Sequence, residues 1–204
     1  MSLCEQTLAT GEHFTSEATH AVVWLADGSA ELNGKSMQKS EGAYLAGKAL
    51  SSDDGGCRIL CFDVSRSETM TRISVGRRLL LQSDFEWPDT DAILRLDQVS
   101  FPKGAIAYRH VHPGAGIRYL VKGQLEIRGD LHVEPISTGM AWFEDTNSPV
   151  KATASADEDA LFVRAMILPL ECEGKRTIRY LNAEDADKPR LQENIRFLDQ
   201  RISI

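Results

Sequence analysis

The chain is 204 residues long, 42% hydrophobic and 26% charged, with a formal net charge of −7. That length suits one large domain or two small ones, and the apolar fraction is enough for a real core. The acidic balance argues against a nucleic-acid partner, which selects basic faces. No stretch is apolar for long enough to cross a bilayer, so no membrane association is expected.

In chain order, the opening MSLCEQTLATGEHF has neither a basic start nor an apolar run, so no secretion signal is expected. Cys4, Cys57, Cys61 and Cys172 form no CxxC pair and no zinc spacing. They read as unpaired thiols in a reducing compartment, which makes the cytoplasm the expected location. Strand-like runs follow at Ala21–Leu25, Ser29–Leu32, Arg58–Val64, Ile93–Phe101, Ala105–His112, Ile117–Val121, Leu125–Arg128 and Ala160–Leu168. Asp27-Gly28, Asn33-Gly34, Lys122-Gly123 and Gly129-Asp130 punctuate them as turns. Many short strands with regular turns predict an all-β sandwich or barrel. After Asp187 and Pro189, the residues Leu191, Ile195, Leu198 and Ile202 fit one face of a helix, although Arg196–Ile204 fits an edge strand as well.

Two stretches resemble copies of one another. Trp24-LAD-Gly28-SAELN-Gly34 lines up with Tyr119-LVK-Gly123-QLEIR-Gly129 without a gap. Glu41–Leu45 follows loosely onto Thr138–Trp142, and Arg58–Phe62 onto Leu161–Ala165 as apolar closing strands. A period this long points to duplicated domains, since solenoid repeats are shorter. The expected division is 1–75, an abbreviated first unit with little chain before Ala21, and 76–204. Residues Ser65 to Ala92 are assignable to either unit.

The most informative segment is Gly104-AIAYR-His110-Val-His112-PGA-Gly116-IRYLVK-Gly123. Alternate residues of a strand share a face, so His110 and His112 present both imidazoles to one side, a start for a metal site. Its spacing resembles the first motif of the cupin superfamily: glycine, five residues, His-x-His, three residues, glutamate, six residues, glycine. The resemblance covers roughly Ile93 to Leu168, and reaches Glu12 to Val64 through the repeat. It implies jelly-roll barrels, here two from an internal duplication, with a short helical or extended tail. In metal-binding members these two histidines, the glutamate and a second-motif histidine hold iron, manganese, zinc or nickel. Here Gly116 stands at the glutamate position. The best second-motif candidate, Gly139-MAWFEDTNSP-Val150, puts an aliphatic residue at its histidine. In the first copy Thr15 and Glu17 take the histidine positions and Ala21 the glutamate position, so no metal chemistry is expected there.

Three readings of His110 and His112 stand side by side: a divalent metal site completed by water or another residue, a structural pair, and metal-free recognition. If Gly116 faces inward, alternation turns Arg118 inward too. A buried guanidinium requires an anionic partner, either a small anionic ligand or an internal carboxylate. Tyr108, two residues before His110, is expected on the same face as a hydroxyl donor to substrate. The expected function is a small-molecule-binding cupin. A metal-dependent dioxygenase, isomerase or lyase acting on a small anionic substrate is one form of it. A non-enzymatic sensor and a structural dimer scaffold are the alternatives. A homodimer is the expected assembly.

Overall fold

Apolar runs bounded by glycine turns become strands throughout the computed structural model, which describes residues 1–45, 47–66 and 76–204. Two units divide the chain: Met1–Ala92 with Gln200–Ile204, and Ile93–Asp199. The all-β expectation holds, and every pairing described is antiparallel. Among the described residues, no helix is long and apolar enough to cross a membrane.

The first unit contains β1 (Ser2–Leu8), β2 (His13–Phe14), β3 (His20–Leu32), β4 (Lys35–Gln38), β5 (Gly42–Tyr44), β6 (Leu50–Val64) and β7 (Arg77–Gln82). They order as β4-β3-β6-β1-β7, with β2 on β6 and β5 on β3. The expected boundary after residue 75 falls at the end of 67–75, outside the described residues. The structural boundary lies at Ala92, because β7 pairs with β1 along Ser2–Gln6. Nor is the unit short of an opening strand, for β1 pairs residue by residue with Cys57–Asp63 of β6.

The second unit contains most of β8 (Asp91–Phe101), β9 (Ile106–Val111), β10 (Gly116–Lys122), β11 (Gln124–Arg128), β12 (Val133–Ser137), β13 (Ala141–Glu144), β14 (Val150–Ala154), β15 (Ala160–Leu168), β16 (Arg179–Tyr180), a four-residue helix α1 (Ala183–Ala186) and the larger part of β17 (Glu193–Ser203). One sheet runs β13-β10-β15-β8-β17 and the other β12-β11-β14-β9-β16. The C-terminal segment is therefore a strand on the edge of β8. The helical alternative fails because Leu191 and Ile195 are exposed while Ile202 is buried, so no common face is covered.

The same registers recur in both units, the pattern a duplication leaves. Trp24 pairs with Gly42 and Leu60, as Tyr119 pairs with Ala141 and Val163. Ser29 faces Gln38 as Gln124 faces Ser137. The loose alignment of Glu41–Leu45 with Thr138–Trp142 moves by two residues, since Gly42 and Ala141 hold equivalent places. Gly28 and Gly123 show why the turn glycines match. Both have left-handed backbones, with φ of 76° and 86°, and a Cβ there would lie 2.2 Å from Gly56 O and 2.4 Å from Asp159 O. Gly123→Ala is expected to lose about 1–2 kcal/mol from the left-handed backbone alone, and more from the contact. Gly104→Ala, at φ 72° with nothing within 4 Å, loses the backbone part alone. Urea unfolding midpoints of the two variants compare them directly.

Candidate functional site

Each strand of the second unit turns alternate residues inward, and the registers stack them in layers. The lowest layer is apolar, with Val99, Ala107, Leu120, Ile127, Ala152 and Phe162 packed in one buried cluster. Above it, paired positions on β13, β10, β15 and β8 place Trp142, Arg118, Arg164 and Asp97 in a row across the sheet. His110 and Val150 face each other on the opposite sheet. These side chains enclose a cavity of about 710 Å³, whose rim carries Arg176, Thr177, Tyr180, Arg190 and Arg196. That volume lies in the ordinary range for small-molecule sites. The lining holds six arginines against three carboxylates, so its field favours an anion.

Two ion pairs organise the charged layer. Asp97 accepts from Arg164 Nε at 2.6 Å and Nη2 at 3.0 Å, a two-point grip that holds the guanidinium plane. Arg118 is held less completely. Its Nη2 lies 2.8 Å from Glu144 Oε2 but off hydrogen-bond alignment, while Nη1 donates to Gly116 O at 2.5 Å. Glu144 also accepts from Trp142 Nε1 at 2.9 Å. The electrostatics follow the geometry. Burial pulls the Arg118 guanidinium down to about 10, with Glu144 opposing in part. Burial acts on Arg164 as well, but the charge and hydrogen bonds of Asp97 outweigh it and the net shift is upward.

His110 and His112 both line the cavity, with ring centroids 4.9 Å apart. His110 Nδ1 donates to Tyr108 O at 2.6 Å. Its Nε2 has no partner among the described residues, leaving a lone pair able to accept a hydrogen bond or a proton. His112 differs. Arg164 Nη1 sits 3.4 Å from its Nε2, and Nδ1 faces Thr177 Oγ1 at 3.3 Å. A guanidinium can only donate, so this arrangement assigns the proton of His112 to Nδ1. Burial pushes His110 below its usual value and His112 well below it, the latter helped by Arg164. Both rings are neutral at pH 7.

Tyr108 departs from expectation. Across β14, Val150 pairs with His110 and Ala152 with Ala107, so β9 carries one extra residue between them. This bulge reverses the alternation: Ala107 and His110 share the inner face, and Tyr108 leaves it. Its ring instead lies under Lys188 Nζ at 4.6 Å. Arg118 lines the cavity, 1% exposed, and its carboxylate partner is internal. His132 lies in the turn after β11, beside Gly129.

Reasoning from sequence missed Glu144, Arg164, Asp97 and Arg95. Glu144 lay inside the segment read for a second-motif histidine. Arg164 lay in a strand read as apolar, and Arg95 and Asp97 alternate within Ile93–Phe101 on one face. The equivalent positions of the first unit carry no charge. Its row equivalent to Arg118, Arg164 and Asp97 is Val23, Cys61 and Cys4, and Phe14 facing Leu50 takes the place of Ala107 facing Ala152. All five side chains there are buried apolar groups.

The donor set does not fit a divalent cation. Among the described residues no group of three or more His, Cys, Asp or Glu is placed to hold one. Val150 opposes His110, and Glu144 is engaged by Arg118. A side chain at position 116 would begin 2.3 Å from Ala165 O, so a glutamate there could not be seated without moving β15.

Comparison with known protein families and with curated proteins found no match. Solved structures do match. A mutant of Bacillus subtilis oxalate decarboxylase superposes with a TM-score of 0.59 at 13% identity, over 92% of this chain and 73% of that one. That enzyme is described as having Mn(II) centres. AerE from Microcystis aeruginosa gives 0.56 at 10% identity, over 82% and 88%. A cupin 2 conserved barrel domain protein from Leptotrichia buccalis gives 0.49 at 15%, over 81% and 84%. At such identities the likeness concerns the fold.

Proposed function

For a chain with the cupin fold, we propose that the second unit binds a small organic anion with an apolar body, its acid group in the charged layer and its body against Val99, Ile127 and Phe162. The carrying observation is Arg118, a buried guanidinium whose Nη2 lacks an aligned acceptor and whose carboxylate compensates it incompletely. Nη2 is enclosed as the chain stands, so an anion supplies the missing hydrogen bond by displacing the Glu144 carboxylate, and His110 lines the same cavity. If the bound anion is a substrate, His110 is the cavity base that can take a proton from it, without the metal on which the family's dioxygenase, isomerase or lyase chemistry depends.

Benzoate and benzyl alcohol share an apolar body and differ in charge, so they make a direct test. Benzoate is expected to raise the thermal midpoint and to bind measurably by calorimetry, with benzyl alcohol much weaker. Arg118→Leu combined with Glu144→Gln removes the guanidinium without stranding its carboxylate. That pair should weaken benzoate by about 1.5–3 kcal/mol for each charged hydrogen bond lost. Equal binding of both probes, or of benzoate to both proteins, refutes the reading.

A further inference from the structure

The disagreement between this donor set and a metal site has a structural source. We infer that Arg164, clamped by Asp97 against His112, takes the place of a metal ion, so the cation offered to ligand in this cavity is a guanidinium and divalent metals are turned away. The inference rests on the anion-binding reading for its purpose, though not for its geometry.

Arg164 occupies the coordinating side of His112. Its Nη1 is 3.4 Å from Nε2, the lone pair a metal would need, and the other ring nitrogen faces Thr177. The guanidinium cannot swing away cheaply, because it donates two hydrogen bonds to Asp97 and its side chain is 11% exposed. A divalent ion near His110 and His112 would meet this charge and that of Arg118, which pairs with Arg164 across β10 and β15. Asp97 and Glu144 balance the charge of the layer, so the obstacle is local: a guanidinium donor already occupies the lone pair of His112. The remaining family positions are closed as well, by Val150 and by the β15 backbone beside Gly116. What is left is a fixed planar cation with donors, suited to an oxyanion.

The test is a nickel titration that needs no anionic ligand, so it can fail independently of the benzoate experiment. Protein purified without chelator is expected to hold well under one metal ion per chain. Nickel should bind the parent weakly. Asp97→Leu with Arg164→Met removes both charges together and uncovers His112 Nε2. Nickel affinity should then rise about tenfold or more, because His112 Nε2 becomes free to ligate beside His110 while the net charge stays the same, and adding His110→Ala should abolish the gain. A folded double variant that binds nickel no better than the parent overturns the inference. So does a stoichiometric metal in the parent. If the double variant does not fold, the parent still decides: metal well below one ion per chain after exposure to excess nickel and desalting supports the guanidinium, and one retained nickel ion per chain overturns it.

Discussion

Asp97→Ala is expected to destabilise the second unit by about 3–5 kcal/mol, the cost of stranding one member of a buried ion pair. Asp97 is 2% exposed at its side chain and gives both oxygens to Arg164. Without it, the guanidinium keeps one distant imidazole contact and faces Arg118 across the strand pair. Removing both partners should be far milder, because Asp97→Leu with Arg164→Met exchanges a desolvated pair for packing, a change that is often neutral or stabilising. The contrast identifies the mechanism: a lost contact would cost similar amounts in both variants, a stranded charge in one. Urea denaturation followed by a probe in the second unit, such as Trp142 fluorescence, measures it. A loss of less than about 1 kcal/mol in Asp97→Ala would remove the pair from any structural role.

How much of this was legible in the sequence depends on how local the cause is. The hairpins were readable because Gly28 and Gly123 mark turns whose left-handed backbone glycine adopts without penalty. Strand period put His110 and His112 on one face, and Arg118 was turned inward by alternation from the family position that Gly116 occupies. Tyr108 did not, since a single inserted residue in β9 reverses facing and leaves no compositional mark. The charged row was illegible for another reason. Arg118, Arg164, Asp97 and Glu144 come from four strands, and their pairing exists only in the register between strands distant in sequence. Motif reading also directed attention to what was missing. Gly116 and Val150 read as losses from a metal site, while the arginines on neighbouring strands went unread. The tail was ambiguous because Leu191, Ile195, Leu198 and Ile202 satisfy a helical period while the edge of β8 supplies hydrogen bonds that no local sequence encodes.

Acid should weaken the second unit through the two cavity histidines before the carboxylates titrate. Burial lowers His110 and lowers His112 further, so the folded chain resists protonation that the unfolded chain accepts near pH 6.5. The unfolded state therefore binds more protons below that pH, and stability falls as pH falls. The contribution is complete above about pH 6.5 and is lost progressively toward the lowered folded values, at up to about 1.4 kcal/mol per histidine for each pH unit. Between about pH 6.5 and 5.5 ordinary carboxylates remain ionised, which isolates the histidines. Unfolding free energies of the parent should therefore drop across this window by up to about 2–3 kcal/mol. His110→Gln with His112→Gln keeps neutral polar groups in both places and should flatten the slope, while His13, His20 and His132 are common to both proteins and cancel. Benzoate should reduce the slope in neither direction if it binds the neutral rings, and should reduce the acid loss if binding draws a proton onto His110, so repeating the series with benzoate separates a spectator imidazole from a proton acceptor. Parallel pH profiles for the parent and the double variant would show that neither ring is held neutral by the fold.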